Sequence, residues 1–264
     1  MSTLLQISDP HFGTEQAPVV EALVALAKAE RPDLVVLSGD ITQRATAKQF
    51  EAARAFVDRL GAPCLAIPGN HDIPLFDIAA RVFAPYARFS KVFGNQLEPE
   101  HESADLLVLG VNTTRPWRHK DGEVSAAQIE RVARRLQKAR AEQLRVVVVH
   151  QPIEVLRSED AHDRLHGHAG AQKAWAAAGA DLVLGGHIHL PFAAPLPGLA
   201  REMWVVQAGT AVSSRVRDGQ PNSVNVVRWD AQAAAERCRV ERWDFNAARQ
   251  VFDRVVQHSL EPAR

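Results

Sequence analysis

The chain has 264 residues, with 31 Lys and Arg against 31 Asp and Glu and a formal net charge of zero. A chain of this length can bury a core without disulfides or a structural metal. Its 46% hydrophobic and 23% charged residues exclude a disordered protein, and the zero net charge argues against a nucleic-acid partner. We therefore predict a single globular domain over residues 1–264.

The cysteine content and the lengths of the apolar runs indicate the cellular location of the protein. Cys64 and Cys238 are the two cysteines, and neither belongs to a CxxC pair, which favours reduced thiols and a cytoplasmic protein. The longest apolar runs, such as 34–37 and 146–149, are far shorter than the roughly 20 residues that cross a bilayer. We expect no membrane span, and the non-basic start predicts no secretory signal.

Strand-like runs alternate with helical patterns through the first two thirds of the chain, which predicts βαβ units of an α/β protein. The predicted strands are 4–8, 33–37, 64–67, 107–111, 145–149 and 182–184. The predicted helices are 17–30, 45–60 and 125–142, the last with Ser125 as N-cap and Gln128 in the capping-box position. Segment 72–103 is predicted to be a helix with an irregular excursion.

The pattern changes after Pro191, at the end of a motif-bearing core over 1–190. Runs at 202–206, 222–229 and 237–243 predict antiparallel strands that close a second sheet. Apolar residues at helical spacing in 245–259 predict an amphipathic helix that closes the chain. Residues 191–264 are thus expected to complete the same domain.

Side chains of metal-ligating type follow nearly every predicted strand. Seven of them are candidate metal ligands: Asp9, His11, Asp40, Asn70, His150, His187 and His189. Because ligands bind beyond the carboxyl ends of strands in open α/β sheets, these side chains are expected to share one crevice. Seven are too many for one zinc-type ion and suit two ions that share a bridging carboxylate.

The five blocks DxH, GD, GNHD, H and GHxH occur in this order between Asp9 and His189. Together they resemble the calcineurin-like metallophosphoesterase superfamily, most closely the bacterial class III cyclic nucleotide phosphodiesterases and glycerophosphodiesterases. Gln43 stands where purple acid phosphatases carry a tyrosine, and Pro68 stands where protein Ser/Thr phosphatases carry an arginine. The resemblance implies a four-layer α/β/β/α sandwich.

The resemblance also implies the role of each site residue. The first metal falls to Asp9, His11, Asp40 and His189. The second metal falls to Asp40, Asn70, His150 and His187, so that Asp40 bridges. Nitrogen and oxygen ligands together suit manganese, iron or zinc, as divalent or trivalent ions. His71 is expected to contact the phosphoryl group, either stabilising the transition state or protonating the leaving oxygen, and Asp72 is expected to orient the His71 ring.

The expected activity is hydrolysis of a small-molecule phosphodiester of the cyclic nucleotide or glycerophosphodiester type. The alternatives are a phosphomonoesterase, a nucleotide-lipid pyrophosphatase and, from a different class, a metal-free scaffold protein of the same fold. A nuclease is disfavoured by the zero net charge. The oligomeric state is left open, with a homodimer as one alternative.

Other polar residues allow more than one interpretation. His162, His166 and His168 are predicted to lie in a loop over the mouth of the site, with a third metal or a substrate contact as alternatives. Arg115 and Arg215 follow strand-like segments and are each either a phosphate contact or a solvated loop arginine.

Overall fold

The computed structural model describes residues 1–262 as two six-stranded mixed sheets with helices on their outer faces. The strands are β1 (Ser2–Ile7), β2 (Leu34–Ser38), β3 (Cys64–Ile67), β4 (Glu100–Glu102), β5 (Leu106–Gly110), β6 (Leu144–Val148), β7 (Leu182–Gly185), β8 (Phe192–Pro195), β9 (Trp204–Gln207), β10 (Ser223–Trp229), β11 (Cys238–Asn246) and β12 (Val251–Leu260). The helices are α1 (Ala17–Glu30), α2 (Ala47–Leu60), α3 (Ile78–Phe83), α4 (Ala87–Phe93), α5 (Ala126–Leu136) and α6 (His168–Ala177).

Each sheet contains a run of neighbouring parallel strands. The first sheet has the order β12-β11-β10-β1-β2-β3, in which β1, β2 and β3 are parallel. The second has the order β4-β5-β6-β7-β9-β8, in which β5, β6, β7 and β9 are parallel. The polar blocks of the sequence therefore leave the carboxyl ends of parallel strands in both sheets.

Alternate residues of the buried strands enter different cores, because successive side chains of a strand point to opposite faces. In β1, Leu5 and Ile7 pack in the core under the helices, whereas Leu4 packs between the two sheets. Val35 and Val36 divide in the same way. A third core lies between the second sheet and its helices, and the predicted four-layer α/β/β/α sandwich is confirmed.

The helix starts follow local capping chemistry. Thr46 caps α2 and Ser125 caps α5, each in a capping box with the glutamine three residues on. The predicted cap at Ser125 is confirmed, but α5 ends at Leu136 rather than at 142. Turns then carry the chain to β6, which begins at Leu144. Within residues 1–262, no helix combines the length and apolar character that crossing a bilayer requires.

The predicted closing helix at 245–259 is wrong, because this segment forms the end of β11 and most of β12. Gln250 donates its N–H to the Asn246 carbonyl in the turn, and β12 then pairs antiparallel with β11 along its whole length. Val251, Val255 and Val256 are β-branched and favour a strand once a partner edge is present. Pairing with β11 therefore outweighs the helical spacing of the apolar residues.

Two further expectations about topology need correction. The C-terminal strands do not all close a second sheet: β10 pairs antiparallel with β1 and extends the first sheet, and only β8 and β9 join the second. Segment 72–103 contains two short helices and the edge strand β4 rather than one helix with an excursion.

Candidate metal centre

The seven predicted ligands lie at strand ends that meet between the two sheets. Asp9 and His11 follow β1, Asp40 follows β2, and Asn70 opens the 3₁₀ turn Asn70–Asp72 after β3. From the second sheet, His150 follows β6, and His187 and His189 follow β7. The fold therefore brings all seven side chains to one crevice, as the sequence predicts.

Most of these ligand positions have an unusual backbone. Five of the seven adopt positive φ although none is glycine: Asp9 (49°), His11 (42°), Asp40 (48°), His187 (75°) and His189 (54°). The left-handed region is unfavourable for residues with a Cβ, and such strain concentrates at functional sites. The chain therefore turns sharply after β1, β2 and β7, at the positions where these ligands leave the sheets.

Two glycines in the motifs are required by close approach of the backbone. A Cβ on Gly69 would lie 2.0 Å from the Asp40 nitrogen, and a Cβ on Gly186 would lie 2.0 Å from the Ser8 Oγ. Any side chain at either position would push the neighbouring strand end away. Gly69 therefore allows the loops after β2 and β3 of the first sheet to touch, and Gly186 allows the loop after β7 of the second sheet to touch the end of β1.

One cluster of ligand atoms forms around the end of β1. Asp9, His11 and His189 offer atoms that lie within 4.8 Å of one another. His189 Nε2 is 3.3 Å from Asp9 Oδ1 and 3.2 Å from His11 Nε2. Two imidazole nitrogens and a carboxylate oxygen that converge in this way match the donor set of a transition metal.

A second cluster contains Asp40, His150 and His187, again within 4.8 Å. His150 Nε2 is 3.2 Å from both Asp40 Oδ1 and Asn70 Oδ1. The other Asp40 oxygen, Oδ2, lies 3.7 Å from His11 Nε2 in the first cluster. The two oxygens of Asp40 thus face different clusters, which is the arrangement that a bridging carboxylate needs.

The surroundings orient the ligands and leave the metal-facing atoms available. His150 Nδ1 lies 2.9 Å from the Ser38 carbonyl, which can only accept, so Nδ1 carries a proton and Nε2 is the ring nitrogen that faces the crevice. Ser8 donates its hydroxyl to Asp9 Oδ2 at 2.6 Å. The residues present therefore fit a pair of metal ions.

The buried charges in the crevice shift one another's pKa values. Burial alone would raise the pKa of Asp9, but the charge of His189 and its hydrogen bond lower it to about 2. Burial lowers the pKa of His11 to about 3. Burial also opposes protonation of His150, yet the charge of Asp40 and its hydrogen bond raise the pKa of that ring to about 9. At neutral pH the carboxylates are therefore ionised and ready to bind cations.

His71 faces the crevice, whereas Asp72 does not have the predicted role. The His71 ring lies 4.9 Å from that of His11, and its Nδ1 is 3.0 Å from the Gln43 carbonyl. The Asp72 carboxylate is fully buried and accepts hydrogen bonds from the N–H groups of Gly69, Ile41 and Thr42.

The expectation that Asp72 orients the His71 ring is therefore wrong, because backbone donors and the Thr42 hydroxyl engage both carboxylate oxygens. The buried environment and the charge of Asp40 raise the pKa of Asp72 to about 6. The side chain joins the loop after β2 to the turn after β3, and so holds Asp40 beside Asn70.

The two candidate arginines have different environments. Arg115 donates to the carbonyls of Asn112 and Thr114 and to Gln128 Oε1, so its guanidinium is used inside the protein. Arg215 instead approaches the crevice, with Nη1 at 3.3 Å from His71 Nε2. The structure thus separates two residues that the sequence could not distinguish.

The loop with three histidines places an aspartate, not a histidine, beside the site. His162 and His166 are exposed and His168 opens α6, and among residues 1–262 none of the three joins a group of converging ligand atoms. Asp163 Oδ1 lies 3.7 Å from His187 Nε2, and the interactions of Asp163 with this ring and with Lys120 lower its pKa to about 2. No feature of the sequence distinguishes Asp163 from neighbouring acids.

Comparisons with known proteins agree with this geometry. The family model described as calcineurin-like phosphoesterase matches residues 2–191. A probable cyclic nucleotide phosphodiesterase of Synechococcus sp. is 27% identical over 208 residues, which cover 72% of this chain and 74% of that protein. A glycerophosphodiester phosphodiesterase of Enterobacter lignolyticus is 39% identical over 82 residues, but these cover only 26% of this chain and 29% of that protein.

A solved structure extends the likeness over the whole fold. The dimetal phosphatase from Danio rerio superimposes with a TM-score of 0.70 over 99% of both chains, at 12% identity. The two-sheet fold and the ligand crevice define a metallophosphoesterase. The chain belongs to the calcineurin-like phosphoesterase family, and the resemblance on which the sequence analysis relied is confirmed.

Proposed function

We propose that this chain hydrolyses a phosphodiester of a small molecule, of the cyclic nucleotide or glycerophosphodiester type, with a dinuclear metal centre. The observation that carries the proposal is the position of Asp40, whose two oxygens face two separate clusters of ligand atoms. Family membership supports phosphoester hydrolysis. The choice of a diester is supported by the names of the Synechococcus and Enterobacter relatives.

In this proposal each cluster holds one ion. The first ion is held by Asp9, His11, Asp40 and His189. The second is held by Asp40, Asn70, His150 and His187. When bound, two such cations supply Lewis acidity that activates water and neutralises charge in an in-line phosphoryl displacement. Manganese, iron and zinc all suit the mixture of imidazole and oxygen donors.

The protein's own residues would bind the ester and move a proton. Two divalent cations outweigh the charges of Asp9 and Asp40, so a chain of zero net charge can hold a crevice that attracts an anionic phosphate. His71 Nδ1 is held by the Gln43 carbonyl, which directs Nε2 towards the crevice. From there the ring, when protonated, can donate to the leaving oxygen.

The test measures metal content and substrate preference together. Purified protein is stripped with a chelator, reloaded with manganese, iron or zinc, and assayed with bis-aryl and mono-aryl phosphates. A panel of cyclic nucleotides, glycerophosphodiesters and nucleotide-lipid pyrophosphates follows. We expect two ions per chain and a higher kcat/KM for the bis-aryl than for the mono-aryl ester.

A variant of the bridging residue tests the metal centre, and the alternative functions predict other results of the assay. Asp40→Asn should lose metal from both positions and lose activity with it, because the bridging carboxylate serves both ions. Preference for the mono-aryl ester or for the lipid pyrophosphate would replace the diesterase with one of those enzymes. Fewer than one ion per chain after reloading would favour the metal-free scaffold.

A further inference from the structure

The segment that follows β9 lies against loops from the first sheet. Ser213 Oγ is 2.8 Å from Thr14 Oγ1 in the loop after β1, and the Ser213 carbonyl accepts from Asn222 Nδ2 at 2.7 Å. Arg215 then donates its N–H to Ser213 Oγ, and its carbonyl accepts from Thr210 Oγ1. The backbone of Arg215 is thus fixed on both sides beside the crevice.

The guanidinium of Arg215 points to the residues around His71. Nη1 donates to Gln43 Oε1 at 2.9 Å and lies 3.3 Å from His71 Nε2. Among residues 1–262, this guanidinium takes part in no ion pair, and its hydrogen bonds to other side chains all involve Nη1. Donors on Nε and Nη2 are therefore free to bind a ligand.

Arg217, in the same segment, differs from Arg215 because its guanidinium forms ion pairs within the protein. Arg217 Nη1 donates to both oxygens of Asp160, and its Nη2 pairs with Glu159 at 2.8 Å. Its charge is neutralised inside the protein. Arg215, two residues earlier, keeps its positive charge unmatched next to a crevice proposed to hold two further cations.

The contact between Arg215 and His71 matters because both side chains can donate hydrogen bonds. Arginine can only donate, so an unprotonated His71 Nε2 can accept from it, whereas a protonated ring would set two donors against each other. A phosphoryl group between them would offer a non-bridging oxygen to Nη1 and the leaving oxygen to Nε2, so that each donor would have its own acceptor. Guanidinium groups are well suited to this task because their donors match the spacing of phosphate oxygens.

We propose that Arg215 is a substrate-binding residue that binds a non-bridging oxygen of the phosphoryl group under attack, beside the leaving oxygen that faces His71. This inference rests on the proposed phosphoesterase function and extends it to the segment after β9, outside residues 2–191 that the family model covers. A donor aimed at an oxygen that gains charge in the transition state typically contributes about a hundredfold or more to turnover.

The experiment compares Arg215→Gln and Arg215→Lys with Arg134→Gln as matched control. Arg134 lies on α5 with a 66% exposed side chain, and its ion pair is with Glu130, one helical turn away. Three quantities are measured on metal-loaded protein: metal content, kcat/KM for the best ester, and the Kd of inorganic phosphate by calorimetry.

We expect Arg215→Gln to retain the metal content of the wild type, to lose about a hundredfold in kcat/KM and to bind phosphate at least about tenfold more weakly. Arg215→Lys should recover part of both losses, and Arg134→Gln should match the wild type. If Arg215→Gln does not fold, Arg215→Lys decides alone, since it keeps the charge without the forked donors and should still bind phosphate more weakly.

Unchanged phosphate affinity in the Arg215 variants would overturn the inference, as would loss of metal in both variants, which would indicate a structural role. The phosphate measurement also separates this inference from the proposed function. Wild-type protein that binds phosphate through Arg215 but hydrolyses no ester would contradict the function and support the binding role. Wild-type protein that binds no phosphate would contradict the binding role whatever its activity.

Discussion

His71 is distinguished from the other histidines of the crevice by its contacts. His150 is held by the Ser38 carbonyl and faces Asp40, as expected for a metal ligand. His71 is held by the Gln43 carbonyl instead, and its Nε2 faces Arg215. We therefore propose that His71 lies on the substrate side of the site, although its ring also lies near Asp40 and His11.

Replacement of His71 should separate chemistry from metal binding. We expect His71→Ala to retain two ions per chain and to lose about a hundred- to ten-thousandfold in kcat, the range of general acid catalysis. Metal analysis and steady-state kinetics on the same preparation provide the measurement. A variant that loses its metal would show that His71 is a ligand, and the assignment would then fail.

The hydrogen bonds around Asp72 predict a different result for its replacement. Asp72→Asn replaces one acceptor oxygen by a donor facing backbone N–H groups, which should destabilise the fold by about 2 kcal/mol. It should also weaken metal binding, because Asp72 fixes Asp40 relative to Asn70. At saturating metal, kcat should recover to near the wild-type value. A low kcat that persists in excess metal would instead restore the catalytic role for Asp72.

At the scale of elements, the β11–β12 hairpin contains the largest error of the sequence analysis. Ala248, Val251, Phe252, Val255 and Val256 are spaced as on one face of a helix. In the structure Phe252 is buried whereas Val255 is 50% exposed. β12 is the outer strand of its sheet, and its alternate residues are only partly buried. The sequence of this segment alone therefore does not indicate that it pairs with β11.

A buried carboxylate connects the strands of this hairpin to β10. Glu241 on β11 has a 1% exposed side chain and pairs with Arg228 on β10 and with Arg254 on β12. Burial opposes its ionisation, but hydrogen bonds from Arg228 and Trp243 bring the net pKa of Glu241 below its ordinary value of 4.5. The ionised form is thus the one that stabilises the folded sheet.

Glu241→Gln should therefore lower the free energy of unfolding at pH 7 by about 2 kcal/mol, since it removes the buried charge that pairs with Arg228 and Arg254, although Glu30 still pairs with Arg228. Because the folded pKa lies below the unfolded value, this stabilisation is present above pH 4.5 and is lost as the pH falls through the folded pKa. The difference between wild type and variant should accordingly shrink in acid.

Denaturant titrations at several pH values measure this difference. Glu130→Gln, at a 70% exposed position on α5, serves as control and should change stability by less than about 0.5 kcal/mol. A Glu241 variant as stable as this control would show that the buried pair contributes nothing.

At the scale of the whole molecule, the candidate metal centre draws its ligands from both sheets. Asp9 and Asp40 come from the first sheet and His150, His187 and His189 from the second. Asp9 and Asp40 are at most 2% exposed, so without cations two buried negative charges lie close together. Metal binding should therefore join the layers as well as serve catalysis.

Removal of metal should lower the stability of the entire protein. At a metal concentration one hundredfold above Kd, binding at one site adds about 2.7 kcal/mol to the free energy of unfolding. We expect Tm to fall on chelation and to rise with the concentration of added manganese. Asp40→Asn should show no such dependence. A wild-type Tm that is the same with and without metal would contradict a centre shared between the sheets.

The sequence determined the central strands and the residues at their ends. Runs of buried aliphatic residues such as 34–37 and 146–149 are strands whatever their neighbours, because both faces lie in a core. A glycine-containing block directly after a strand marks the position of a ligand residue at the end of that strand. Seven candidate ligands and the four-layer fold were therefore predictable from local pattern and family resemblance.

Only the tertiary structure decided which partners these residues have. Whether 251–260 forms a helix or a strand depended on the edge of β11, and the role of Asp72 depended on N–H groups about thirty residues earlier in the chain. Arg215 and His71 are 144 positions apart, yet their side chains meet. The local sequence determines local conformation, whereas contacts between distant segments depend on how the two sheets pack together. No local sequence pattern contains that information.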